Sequence, residues 1–331
     1  MENNTIVTLS KRIDRDITRN LYMFISVIAI IGNGFVCSLF IGKQSLLQHA
    51  TNRFILLLAI VDSLTAIMVI ISPTSQLLGN PYPYPGRGLG QQFFCIIIYS
   101  EYFLWAFGYI SIYTIAMLSL ERLCLVILPI FHKKIFTPFY ANALIVLLIF
   151  IGLILSAPNL FQIRITNDVR RPCRFISLRV NQVVKSLIII LSFILQFFIP
   201  ELITFACYVI IICRMRKIGL TPNEATIDIR SQRNRRSRRQ VTLMIFVASI
   251  ALFICWLPNS IYFTLIQFSL VASLDNFHFI TKTLVVANST INPIIYVTVN
   301  IYYRKLFVKT LRRLLSFRRK RHKIKINVIR N

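Results

Sequence analysis

A chain of 331 residues that is 56% hydrophobic and 12% aromatic leaves little polar surface with which to enclose a soluble core. A net charge of +27 would suggest nucleic acid for a soluble protein, but the basic residues cluster beside apolar stretches, which points to a membrane surface. The sequence has no His-Glu-x-x-His, no paired intramembrane aspartates and no serine–histidine pair at matching depth, so it does not read as an enzyme.

Residues 1–20 form a polar tail with a glycosylation acceptor at Asn3 (Asn3-Asn4-Thr5) and no short apolar core before a small-residue cleavage site. The first span is therefore expected to act as the insertion signal. Seven long apolar stretches follow, at 21–42, 54–79, 93–120, 139–163, 186–213, 241–270 and 277–303. A bilayer core of about 30 Å takes about 20 apolar residues of helix to cross. Inside lipid each backbone N–H and C=O must be paired within its own segment, so these stretches must be helices. The prediction is an all-α membrane protein: one seven-transmembrane helix bundle over 21–303, with 304–331 beyond it. No internal repeat is evident, which weighs against transporter folds built from duplicated halves.

Charge sets the orientation. Nine basic residues lie between Arg214 and Arg239 and twelve between Arg304 and Arg330, joined on the same side by Lys43, Arg53, Lys133 and Lys134. Lys/Arg excess marks the cytoplasmic face, so the first tail is extracellular and the last cytoplasmic, its cations drawn to anionic membrane lipid rather than to nucleic acid. The outer loop between spans four and five breaks this pattern with Arg164, Arg170, Arg171, Arg174 and Arg179. It reads either as a solvated loop or as a basic vestibule for acidic ligands. Cys95 and Cys173 both fall on the outer, oxidising side, so a disulfide between them is expected.

Polar residues at bilayer depth need a reason, since each costs roughly 2.5–3.5 kcal/mol on insertion scales. Asn33, Asp62 and Ser111 lie in spans one to three. Asn288 and Asn292 lie four residues apart on one face of span seven. Together they suit a small hard cation such as sodium, or ordered water; equally, the amides simply join helices. Pro200, Pro258 and Pro293 interrupt late spans and should kink them, with Trp256 beside the second kink. Glu121-Arg122 closes the inner end of span three.

These residues, in this order, resemble the rhodopsin-like (class A) G-protein-coupled receptors over nearly the whole chain. The likeness rests on Gly32-Asn33, Leu58-Ala59-Ile60-Val61-Asp62, Glu121-Arg122-Leu123, Pro200 with Tyr208, Cys255-Trp256-Leu257-Pro258 and Asn292-Pro293-Ile294-Ile295-Tyr296. The resemblance implies an allosteric sodium site at Asp62, Ser111, Asn288 and Asn292, and no other cofactor. It implies a mobile aromatic at Trp256 and an activation network of Glu121, Arg122, Tyr208, Pro258, Asn292, Pro293 and Tyr296. The activated face would admit a heterotrimeric G protein. Tyr303-Arg304 with Phe307, Leu311 and Leu315 resembles the family's short amphipathic eighth helix. Departures are Leu123 for the usual Tyr, Leu252 for an aromatic, and a Cys95 about two residues farther from Arg122 than the family spacing. Glu201 is an unusual intramembrane acid.

Leu104 stands where amine receptors of this family place an aspartate, and Lys282 lies too near the outer end to hold retinal. Glu101, Trp105, Arg174, Trp256, Gln267 and Lys282 would line a mixed-charge outer pocket suited to a peptide. The chain is most similar to invertebrate neuropeptide receptors such as the FMRFamide-like group. A plasma-membrane receptor is the reading; a transporter or channel, or a non-signalling scavenger, is the alternative.

Overall fold

The computed structural model describes residues 2–75, 77–79, 82–168, 172–176, 180–218, 229–271, 275–301, 303–310 and 312, with backbone only for 2–15, 217–218, 229–238 and 275–276. Seven long helices make the bundle: α1 Glu2–Ile41, α2 Ala50–Ile71, α3 Tyr102–Ile127, α4 Pro138–Ser156, α5 from Gln182 to Ile218, α6 Ile229–Gln267 and α7 Asp275–Val299. A multi-pass membrane protein is the consequence. Among the described residues six of these helices are long and apolar enough to cross a membrane. The seventh, Phe277–Val299, meets that test only together with Tyr303–Thr310, which is bent 101° from it. The reason lies in α7 itself, whose Lys282, Asn288 and Asn292 are all buried and lower its hydropathy without facing lipid.

Local chemistry sets the helix ends. Ser72 leaves the helical region (ψ 134°) just before Pro73, which disfavours it in the residue ahead. Pro138 occupies the first turn of α4, and the hydroxyl of the preceding Thr137 accepts from the Tyr140 N–H. Asn181 caps α5 by accepting from Val183 N–H at 3.3 Å. Between α3 and α4 the short helix Pro129–Ile135 turns the chain back toward the bundle.

Two π turns interrupt the regular helices. One, Ile194–Phe198, sits in α5 immediately before Pro200, and in it the Ile199 N–H bonds to the Ile194 carbonyl. The next bond of that pattern would come from residue 200, which as proline has no N–H. The carbonyl so stranded, that of Leu195, accepts instead from the Tyr113 hydroxyl of α3 at 2.6 Å. The other π turn, Phe94–Tyr99, follows the short helix Leu89–Phe93 above α3. It leads into Glu101, a non-glycine residue in the left-handed region (φ 56°).

Small residues allow close helix approach, as membrane packing requires. A Cβ on Gly32 would lie 3.1 Å from Pro293, and one on Gly108 only 2.5 Å from the Trp256 ring. The core they surround runs through Phe54, Leu58, Ile112, Ile115, Met244 and Leu252 to Trp256 and Tyr296. Outside the all-helical bundle the loop after α4 forms an antiparallel hairpin, β1 Ile163–Ile165 with β2 Cys173–Phe175.

Candidate functional site

Three polar sites are stacked along the bundle. The outermost starts at the hairpin, which a disulfide between Cys95 and Cys173 ties to the turn above α3 (Cα–Cα 5.4 Å). Gln91 reinforces the junction by donating to the Thr166 carbonyl at 2.9 Å. The long Cys95–Arg122 spacing thus leaves the disulfide pairing intact; the π turn and the left-handed Glu101 absorb the added residues.

Below the hairpin a cavity of about 860 Å³, its open mouth included, is walled by α3, the turn Ala157–Gln162 after α4, α5 and α6. Its floor is aromatic: Trp105 and Tyr109 pack on Trp256 with ring centroids 6.2 and 5.8 Å away. Amide groups of Gln162, Gln196, Asn259 and Gln267 stud the walls.

Of the residues expected to line this pocket, Trp105, Trp256 and Gln267 do so. Glu101 and Lys282 meet elsewhere. They form a salt bridge buried among α2, α3 and α7, with the Glu101 carboxylate also accepting from Ser72 (2.7 Å) and Thr74 (2.8 Å). Lys282 in turn donates to Thr74 at 2.8 Å. Desolvating two charges is tolerable only when such partners complete the pair. The pocket therefore lacks the mixed charge that these two residues were expected to supply. Arg174 sits on the hairpin, exposed.

The middle site centres on Asp62, almost wholly buried (1% exposed), which accepts from Asn292 Nδ2 at 2.8 Å. Asn33 donates across to the Ser289 carbonyl at 2.7 Å and so joins α1 to α7. Four further buried oxygens, Ser111 Oγ, Asn33 Oδ1, Asn288 Oδ1 and Asn292 Oδ1, have no partner among the described residues. A buried carboxylate together with unpaired neutral oxygens in the same bundle has the donor chemistry of a hard monovalent cation site or a water cluster. Among the described residues no group of three or more His, Cys, Asp or Glu suits a transition metal.

The inner site surrounds the Glu121 carboxylate. Its Oε2 accepts from Arg122 Nε at 2.6 Å, and its Oε1 from Arg122 Nη2 (2.9 Å) and Thr51 (3.0 Å), with His132 Nε2 at 2.7 Å. Arg122 also donates to the Thr51 hydroxyl. Both charged residues are at least 95% buried. Neither Thr51 nor His132 stood out in the sequence. Nearby, Tyr208 packs on Phe246 (4.8 Å), and Tyr303 donates to Asn52 Oδ1 at 2.7 Å, fastening the chain after α7 to α2. Tyr296 is buried with its hydroxyl unpaired. Pro258 and Pro293 lie inside α6 and α7. The side chains of Asn3 and Arg238, the residues Leu311 and Leu315, and the basic tail from 313 onward lie outside the described residues.

Comparison with known proteins places this geometry. Residues 32–296 match the family described as 7 transmembrane receptor (rhodopsin family). The chain is 26% identical over 296 residues to somatostatin receptor type 1 of Rattus norvegicus, covering 88% of this chain and 70% of that one. It is 25% identical over 316 residues to the RYamide receptor of Tribolium castaneum (91% and 82% covered). With galanin receptor 2b of Danio rerio it shares 24% over 312 residues (93% and 78%).

Proposed function

Because the chain belongs to the rhodopsin family of seven-transmembrane receptors, we propose that it is a plasma-membrane receptor that converts binding of an extracellular peptide into activation of a heterotrimeric G protein. The observation that carries this reading is the pairing of two sites at opposite ends of one bundle. An open cavity ends on Trp256, and a buried arginine is held by Glu121, Thr51 and His132 at the other end. A ligand that displaces Trp256 would shift α6 about Pro258, and Arg122 would then leave Glu121 for the partner protein. Tyr208, Asn292, Pro293 and Tyr296 lie between the two ends and belong to the same network.

Several finer assignments belong to this reading. Asp62, Ser111, Asn288 and Asn292 hold a sodium ion that favours the resting packing. When bound, the ion supplies charge balance for Asp62, while the residues orient it through their unpaired oxygens. Trp105, Trp256 and Gln267 contact the ligand; Arg174 stands outside the cavity wall, and Glu101 and Lys282 shape the pocket without lining it. The N-terminal tail, with Asn3 as sugar acceptor, is extracellular. The helical stretch Tyr303–Thr310 is an eighth helix that rests its apolar side on the inner leaflet, and the basic tail lies along anionic lipid. The similarity to receptors named for somatostatin, RYamide and galanin supports a peptide ligand; an invertebrate FMRFamide-like receptor is one form of that class, and a receptor for a ligand with a free carboxylate is another.

The test is G-protein activation in cells expressing wild type beside Arg122→Ala, across G-protein subtypes and a peptide library, at matched surface expression. A response that vanishes with Arg122→Ala is expected. Substrate flux or current without G protein would replace the reading with a transporter or channel. Peptide uptake that Arg122→Ala leaves intact, without coupling, would replace it with a scavenger.

A further inference from the structure

We infer that the outer cavity selects a ligand whose inserted end carries an aromatic ring and a carboxylate, and turns away a cationic end. The inference rests on the receptor reading only for its biological meaning; the selectivity itself follows from the walls. Among the described residues lining the cavity, Lys185 alone carries a formal charge. Glu101 does not line the cavity and is engaged by Lys282, Ser72 and Thr74. Glu201 lies beyond the α5 π turn and does not line the cavity. An ammonium or guanidinium group entering here would lose its hydration with no acid to replace it. A carboxylate would find Lys185 and several amide donors.

Two independent observations point the same way. On the hairpin Arg164 and Arg174 are direct cross-strand partners and both exposed. Opposed residues share one face of the strand pair, and like charges so placed repel. An arriving anion relieves that repulsion, so the pair is suited to guide an acid toward the mouth. At the floor Asn259, 4% exposed, has a carboxamide oxygen with no partner among the described residues. It would accept an N–H from a peptide bond or an indole whose ring stacks within Trp105, Tyr109 and Trp256. The cavity therefore reads, from mouth to floor, as cation, amide, then aromatic wall.

The same carboxylate could belong to a peptide's free C-terminus or to a small aromatic acid. The probes are N-acetyl-Phe-Trp as its free acid, N-acetyl-Phe-Trp-NH2 (neutral), Phe-Trp-NH2 (cationic) and N-acetyltryptophan, with binding to receptor in phosphatidylcholine nanodiscs read by thermal shift and titration. The free acid should bind roughly tenfold tighter than the neutral amide, as one charge-assisted hydrogen bond implies, and the cation weakest. Lys185→Gln should close the gap between acid and amide while the unliganded melting temperature stays near that of wild type. N-acetyltryptophan equal to the dipeptide acid assigns the site to a small acid; the dipeptide's advantage assigns it to a peptide end. The proposal is overturned if the cationic probe binds as tightly as the acid. It is equally overturned if the acid's advantage survives Lys185→Gln, or if no probe binds at millimolar concentration. Acid-selective binding without any Arg122-dependent coupling would sink the receptor reading alone, and coupling driven by a ligand with a cationic inserted end would sink this inference alone.

Discussion

Glu121 and Arg122 are neighbours in sequence, and their pairing at the inner end of α3 could be anticipated from that alone. Two of the groups that complete it could not. His132 reaches Glu121 because Pro129 starts a helix in the following loop that folds back beneath α3, and Thr51 arrives from α2, 70 residues away. Many family members lock the arginine from the base of α6 with an acid; the corresponding stretch here is Arg235, Arg236, Arg238 and Arg239. On the proposed receptor reading, the resting clamp would be supplied by α2 and the loop. Loss of one hydrogen bond to the charged Glu121 should cost the resting state about 1.5 kcal/mol, roughly a tenfold shift in population. His132→Ala and Thr51→Val are each expected to raise ligand-independent G-protein activation severalfold, with His132→Gln, which keeps a donor, close to wild type. Unchanged basal signalling in both, at equal surface expression, would mean that the clamp does not restrain the receptor. Glu101 and Lys282 teach the same lesson. Their charges are plain in the sequence, but their equal depth, and the Ser72 and Thr74 hydroxyls between them, exist only after three helices pack.

At the scale of elements, the prolines of α5, α6 and α7 were readable as interruptions, but not the form the interruption takes. In α5 it is a π turn, and its unsatisfied Leu195 carbonyl is met by Tyr113 from α3. Tyr113→Phe should therefore destabilise the bundle by about 1 kcal/mol, the usual worth of an interhelical hydrogen bond in a membrane. The cost should shrink in a Pro200→Ala background, where residue 200 regains the N–H that the carbonyl lacks. Thermal inactivation of the four proteins of that cycle is the measurement, and an equal Tyr113→Phe cost in both backgrounds would refute this account of the α5–α3 contact. The hairpin β1–β2 was not foreseen at all: three-residue strands carry too short a pattern to distinguish from loop, and the disulfide rather than strand propensity holds them.

For the whole molecule, the membrane bundle was legible because lipid imposes length and apolarity on each span. The exception is instructive, since α7 passes the apolarity test only with the segment beyond its bend, its Lys282, Asn288 and Asn292 all being buried in the bundle. Asn292 binds the Asp62 carboxylate, and Asn33, Ser111, Asn288 and Asn292 add buried oxygens without a partner among the described residues. If they hold sodium, the ion binds the folded resting bundle and stabilises it by mass action, about 1.4 kcal/mol at ten times its Kd. Purified receptor should melt higher in sodium chloride than in choline chloride at equal ionic strength, and Asp62→Asn should erase the difference. A difference that persists in Asp62→Asn would move the ion elsewhere.

The joint above α3 has a consequence of angular phase. A regular helix advances about 100° per residue, so two added residues between Cys95 and Arg122 would swing the cysteine about 200° around the axis, away from the hairpin and toward lipid. The wider turn at Phe94–Tyr99 and the left-handed Glu101 take up that rotation before Tyr102. Below them each inward position of α3, from Leu104 to Arg122, keeps its heading. Above them the cap of hairpin, disulfide and short helix is free to keep its own. Length can thus change in the lid of this protein without turning the shaft beneath it.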